Sequence, residues 1–134
     1  MSSALIAACE PAPIPPMRLW TRDLAIQVSA NPVPPPAREP ITFTVVVRDK
    51  TSGQPIQNGE GQIYATSSDG VNAWDGLTPA RQPGTYTGRL EFITSGDWAM
   101  GLRFRRDSTQ ALQTMDWRQE VMAERPDSSH IKTP

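Results

Sequence analysis

Residues 41–49, ITFTVVVRD, decide the fold of this chain. Every second side chain in the stretch is a large apolar one, beginning with Ile41 and Phe43 and continuing with Val45 and Val47. Alternation with this period is typical of a β-strand that buries one face, and β-branched and aromatic residues favour strands. The stretch therefore predicts a strand with one face in the core.

The same alternation recurs along the chain. It is found at 23–30, 61–66, 85–92, 97–105 and 111–121. The last stretch also suits a helix, because its Gln, Met, Ala and Glu are good helix formers. We interpret it as a strand that pairs with 97–105 through a turn at 106–110. Six or seven short strands with one apolar face each predict an all-β, two-sheet antiparallel sandwich of about seven strands.

Prolines mark the segments outside these strands. Four of them within 10–22 favour an extended, polyproline-type tether. Residues 67–84 hold two Asp-Gly turns and two prolines, and predict a long polar connection. The expected organisation is an N-terminal attachment segment and tether over 1–22, a sandwich over 23–121 and a polar C-terminal tail over 122–134.

Charge, cysteine content and hydropathy argue against several classes of protein. Thirteen basic and fourteen acidic residues give a net charge of −1, which offers no electrostatic basis for binding nucleic acid. One cysteine cannot form an internal disulfide. The chain has no apolar run of ~20 residues, the length that a membrane-spanning helix needs.

Catalytic groupings are not evident either. The only histidine, His130, lies in the predicted tail, and a nucleophile needs a base beside it. Asp49, Asp69 and Asp75 fall in turn contexts that explain them as turn formers, although acid–base work by paired carboxylates stays open. We expect a protein that is not an enzyme and has no cofactor and no metal site.

Cys9 follows a short apolar stretch, Ile6-Ala7-Ala8, and precedes the proline-rich segment. The tether separates it from any packed strand, and a catalytic thiol needs a neighbouring base. The stretch resembles a bacterial lipobox, in which small residues precede a cysteine that takes a diacylglyceryl group. Cys9 is therefore a candidate lipid-attachment residue, and whether a lipid or a protein partner makes the attachment is left open.

Two longer stretches resemble YtkA-like and FixH-like periplasmic domains. The first, residues 23–65, has a strand, a proline loop, F-x-V-x-V-x-D and G-x-P-I; the second, residues 83–104, has P-G-x-Y-x-G followed by G-x-W. The resemblance implies an immunoglobulin-like sandwich. Tyr86 would tie a strand start to nearby backbone through its hydroxyl, and Trp98 and Phe43 would fill the core. All three are expected to define the fold.

Some members of these families handle copper or assist oxidase assembly, so the resemblance implies a copper carrier or assembly factor as one alternative. Copper sites use clustered His, Met or Cys. The methionines at 17, 100, 115 and 122 show no close Met-x-Met spacing, which favours their use as core filler.

Candidate partner-binding residues come from exposed aromatic and basic positions. They are Met17, Leu19, Trp20, Trp74, Arg103, Arg105 and Arg106. The three arginines form a basic strip that is either a solvated face or an anchor for an acidic partner or lipid headgroups. Trp74 either caps one end of the sandwich or anchors an interface.

The sequence thus predicts a non-catalytic accessory subunit on the periplasmic face of a bacterial membrane. It would be lipid-anchored and docked on the subunits of a larger respiratory or photosynthetic complex. A second alternative, besides copper handling, is an extracytoplasmic ligand-binding or carbohydrate-binding module that uses Trp74 and Tyr64.

Overall fold

A computed structural model describes residues 14–126, which fold into nine β-strands. The strands are β1 Met17–Trp20, β2 Leu24–Asn31, β3 Pro40–Asp49, β4 Glu60–Ser67, β5 Asn72–Gly76, β6 Thr78–Pro79, β7 Thr85–Glu91, β8 Gly96–Arg105 and β9 Gln113–Val121. No helix occurs in this part of the chain, and hence none that could cross a membrane.

The strands form two antiparallel sheets packed face to face. The five-stranded sheet has the order β1-β2-β3-β7-β6, and the four-stranded sheet has the order β5-β4-β8-β9. In immunoglobulin lettering, β2-β3-β7-β6 take the positions A-B-E-D and β5-β4-β8-β9 take C′-C-F-G. The predicted all-β sandwich is confirmed, and so is the interpretation of 111–121 as a strand, since β9 pairs with β8 from Gly96↔Val121 to Phe104↔Gln113.

The structure has nine strands instead of about seven because three of them lie in two segments that the sequence predicts to be irregular. Strand β1 lies inside the predicted tether and pairs with β2, with Leu19 opposite Ile26. The predicted connection 67–84 holds β5, which pairs with β4, and the short β6, which pairs with β7. The sequence does not predict these short strands because prolines and turn-forming residues surround them and because their hydrogen-bond partners lie elsewhere in the chain.

The core lies between the sheets and follows the predicted alternation. Strand β3 contributes Ile41, Phe43, Val45 and Val47, each at most 1% exposed. Strand β8 faces them with Trp98, Met100, Leu102 and Phe104, each at most 2% exposed. Burial of these apolar side chains supplies most of the driving force for joining the two sheets.

The two long sides of the sandwich differ. One side is closed where the chain crosses from β5 to β6: the Leu77 N–H donates to the Gly61 carbonyl at 2.9 Å, and the Arg89 N–H donates to Asp75 Oδ2 at 2.8 Å. On the other side lie the edge strands β1 and β9. One end of this side is covered, because Met122, directly after β9, forms a parallel bridge to Pro36 and hydrogen bonds with Pro35 and Ala37, and the rest of it is open. That open side and the two outer sheet faces are the surfaces available for function.

Candidate functional site

Tyr86 ties a strand to a distant loop. Its hydroxyl donates to the Ile56 carbonyl at 2.5 Å and accepts from the Gly59 N–H at 2.9 Å. Its side chain is 1% exposed and meets Phe104 edge-on with ring centroids 5.3 Å apart. Burial raises the pKa of this hydroxyl, which therefore stays protonated and able to donate. The role of this contact is structural.

Trp98 and Phe43 lie on facing sheets of the core, on β8 and β3. The ring of Phe92 stands between them, 5.0 Å from Trp98 and 6.2 Å from Phe43 in edge-to-face arrangements. The Trp98 indole N–H donates to the Thr94 carbonyl at 3.0 Å, so that its polar atom is satisfied. Both side chains are at most 1% exposed.

The three arginines of the expected basic strip have different surroundings. Arg103 and Arg105 point outward from β8, and Arg105 forms an ion pair with Glu60 at 3.4 Å. Arg106 lies beyond the end of β8 and donates to Asp23 at 2.9 Å and to Asp49 at 2.5 Å. Arg106 is held by two carboxylates, and it does not share one continuous cationic surface with Arg103 and Arg105.

Asp23 and Asp49 are the two carboxylates that accept from Arg106. Asp49 accepts hydrogen bonds from the Ser52 N–H and from Arg106, and these hold the pKa of its carboxyl far below its usual value. The hydrogen bond to Asp49 also raises the pKa of Arg106. Asp49 and Arg106 form a structural ion pair at the junction of the two sheets. The Ser52 N–H and this pairing together lower the pKa of Asp49, and the pairing raises the pKa of Arg106.

An apolar groove runs along the open side between β1 and β9. It has a volume of about 260 Å³. Its lining includes Ile14, Met17, Val33, Phe43 and Trp117. Met17 and Leu19 are half-buried and turn toward the sandwich, whereas Trp20 turns to the opposite face of β1 and is 58% exposed. Of the three candidate partner-binding residues on β1, Met17 and Leu19 therefore lie on one face of the strand and Trp20 on the other.

Trp74 lies on the outer face of the four-stranded sheet. It is 68% exposed, directly opposite Tyr64 on β4, and forms one end of a cleft of about 300 Å³. It caps neither end of the sandwich. Sequence reasoning singled out Trp74 and Tyr64 but missed their relation to Gly101 and Arg103. Only the register of β4 with β8 brings these together, since Tyr64 pairs with Gly101 and Gln62 with Arg103.

Metal-ligating side chains form no cluster in the part of the chain that the structure describes. Residues 14–126 contain no cluster of three or more His, Cys, Asp or Glu that could hold an ion. Met100 and Met115 are buried at 2% and 7% exposure on core-facing positions, as expected of core filler. The same expectation is wrong for Met122, which is 43% exposed, and for Met17, which lines the groove. Cys9 and His130 lie outside the described residues, as do 1–13 of the predicted attachment segment and 127–134 of the predicted tail.

Comparison with known proteins supports the fold. No family model and no curated protein sequence matches the chain. Its structure is similar to a DUF4426 family protein from Pseudomonas aeruginosa PAO1, with a TM-score of 0.62 and 12% identity over 79% of this chain and 96% of that one. It is also similar to a copper-bound variant of FetP from uropathogenic Escherichia coli strain F11, with a TM-score of 0.52 and 9% identity over 89% of this chain and 96% of that one. At such low identity these similarities establish the fold and leave the resemblance to YtkA-like and FixH-like domains a prediction.

Proposed function

We propose that this chain is a non-catalytic, extracytoplasmic accessory subunit that docks on a larger membrane complex through the open side of its sandwich. The observation that carries the proposal is the apolar groove between two edge strands, β1 and β9. The partner is a protein that presents an extended segment with apolar side chains.

The edges supply the backbone half of the docking site. An edge strand presents a row of N–H and C=O groups, and a protein partner can satisfy them by adding a strand. Strand β9 is nine residues long, and its outward side chains Asp116, Arg118 and Glu120 are charged. Such charges oppose unselective edge-to-edge association, so an added strand must be specific in its side chains.

The groove supplies the side-chain half. Met17 and Trp117 lie at its two walls, and Phe43 lines its floor from the core. Trp117 Nε1 is buried and has no hydrogen-bond partner within residues 14–126. A buried donor without a partner is costly.

Attachment near the groove supports a membrane setting. Cys9 lies five steps along the chain before Ile14, which lines the groove. Five extended steps reach at most about 18 Å, at about 3.6 Å for each. A lipid on Cys9 would therefore hold the open side of the sandwich close to the bilayer, where the subunits of a membrane complex are found.

The test is co-purification from detergent-solubilised native membranes, read on a native gel. We expect the wild-type chain to migrate with a larger complex and Met17→Glu, which places a carboxylate at the groove, to be released from it. Trp74→Ala, on a different face, is the matched control and should stay bound. A wild-type chain that migrates only as a free monomer contradicts the proposal. Mass spectrometry of the same material reports whether Cys9 carries a lipid.

Copper handling is the second candidate, favoured by the structural similarity to copper-bound FetP. Titration of copper(I) and copper(II) into the full-length chain tests it. Binding weaker than micromolar for both ions removes the candidate.

A further inference from the structure

A second surface stands apart from the groove, on the outer face of the four-stranded sheet. Trp74 and Tyr64 are directly paired across β5 and β4, and both point outward. Trp74 is on an edge strand and exposes 68% of its side chain. An indole of this size left in water on a folded domain costs solubility, and large exposed aromatics mark binding surfaces.

The Tyr64 ring is held against the sheet. It covers Gly101, where a Cβ atom would lie 2.0 Å from Tyr64 Cζ and 2.3 Å from its hydroxyl oxygen. The Arg103 guanidinium carbon lies 5.0 Å from the ring centroid, within the range of a cation–π contact. Only glycine at 101 leaves room for the Tyr64 ring to pack flat against the sheet. A ring fixed in this way loses little freedom when a ligand arrives.

Polar groups surround the two rings. The cleft between them is bordered by the Gln62 amide, the Thr66 hydroxyl and the Asn72 amide. Thr66 donates to Asn72 Oδ1 at 2.8 Å, which orients that amide and leaves its NH₂ group free to donate. Exposed aromatic rings with amide groups beside them match the apolar C–H face and the hydroxyl edge of a pyranose sugar.

Arg103 adds a charge to this surface. Within residues 14–126, Arg105 and Arg118 each have a carboxylate within 4.0 Å, from Glu60 and Asp97, whereas Arg103 has none. An exposed guanidinium that faces an aromatic ring can still bind a carboxylate through its other N–H groups. The charge is therefore complementary to a uronic-acid type of sugar.

From this arrangement we infer that the outer face of β5, β4 and β8 binds an oligosaccharide bearing carboxylates. One pyranose ring stacks on Trp74, its hydroxyls bond to Gln62 and Asn72, and a carboxylate of the chain pairs with Arg103. This ligand-binding activity is independent of the groove on the open side.

The experiment records amide chemical shifts and tryptophan fluorescence of the full chain during titration with tetragalacturonate. Its methyl ester, a neutral sugar of the same shape, is the second probe, and a peptide of residues 10–17, EPAPIPPM, is the third. We expect tetragalacturonate to shift residues of β4, β5 and β8, and the methyl ester to bind at least about 3-fold more weakly.

Three variants locate the contact. Trp74→Ala should weaken binding of both sugars by about 10-fold or more, and Arg103→Gln should weaken only the acidic one. Arg105→Gln and Trp20→Ala are matched controls on the same strand and on the other sheet, and should leave both affinities unchanged. The inference is overturned if neither sugar shifts this face at about 10 mM. It is overturned equally if Trp74→Ala binds as the wild type does, or if the proline-rich peptide alone occupies the face.

Discussion

Arg106 and Asp49 meet at 2.5 Å across the junction of the two sheets. Asp49 ends β3 in the five-stranded sheet, and Arg106 directly follows β8 in the four-stranded sheet. Arg106 also donates to Asp23, just before β2, so one guanidinium holds three segments together. This contact closes one end of the sandwich with charges where the apolar core ends.

The Asp49 pairing predicts a loss of stability in acid. The Ser52 N–H and Arg106 hold the Asp49 pKa below its ordinary value of 3.8 in the folded state. A carboxyl whose pKa is lowered by folding stabilises the protein above its unfolded pKa, and this contribution is lost as the pH falls through the folded value. We therefore expect the free energy of unfolding to decrease as the pH is lowered below about 4.

Asp49→Asn should flatten that dependence, because the variant has no carboxyl to protonate at this position. Urea unfolding between about pH 6 and about pH 2 measures it. Asp69→Asn, in an exposed turn, is the matched control and should retain the wild-type slope. An Asp49→Asn variant with the same acid slope as wild type would contradict the assignment.

Removal of the Tyr86 hydroxyl should destabilise the domain. Tyr86→Phe leaves the Ile56 carbonyl and the Gly59 N–H without their partner, at a cost of about 1–3 kcal/mol. Tyr64→Phe, on the outer sheet face, should cost less than about 0.5 kcal/mol. Guanidinium unfolding of both variants provides the comparison, and equal midpoints would show that the Tyr86 hydroxyl contributes nothing.

Trp98 and Trp74 should differ sharply in their effect on stability. Trp98 is 1% exposed beside Phe92, and Trp98→Ala should cost about 3–5 kcal/mol through the cavity it leaves. Trp74 is 68% exposed, and Trp74→Ala should change the unfolding free energy by less than about 0.5 kcal/mol. Thermal unfolding by circular dichroism measures both, and a large loss of stability in Trp74→Ala would show that its ring is packed.

The contact of Tyr64 with Gly101 predicts coupling between the two positions. Gly101→Ala pushes the ring off the sheet, since the new Cβ would overlap Tyr64 Cζ, and should cost about 1 kcal/mol. In a Tyr64→Ala background the same change should cost close to nothing, because the ring is gone. A double-mutant cycle measures the difference as an interaction energy. If the two effects add, the ring does not depend on Gly101.

Some functional features lay within reach of sequence reasoning and others did not. Trp74 can be singled out as an interface candidate from its place in NAWDG, residues 72–76, but only the structure decides between an interface residue and a cap of the sandwich. The sequence does not show that Arg106 is separated from Arg103 and Arg105, because its partners Asp23 and Asp49 lie 83 and 57 residues away along the chain. The Asp-Gly pairs favour a loop over 67–84, yet Asp69-Gly70 precedes β5 and Asp75-Gly76 forms its last two residues, and the hydrogen-bond partners of β5 come from β4.

The sequence by itself determined the class of fold, since the alternation in ITFTVVVRD and its counterparts fixes which side chains share a face, and that relation is local along a strand. The tertiary structure alone decided which faces meet. It paired Tyr64 with Gly101, left β1 and β9 as edges around an apolar groove, and turned Arg106 to two carboxylates. These relations depend on strand order and register, which arise when distant segments bury their apolar faces together, and no local pattern encodes them.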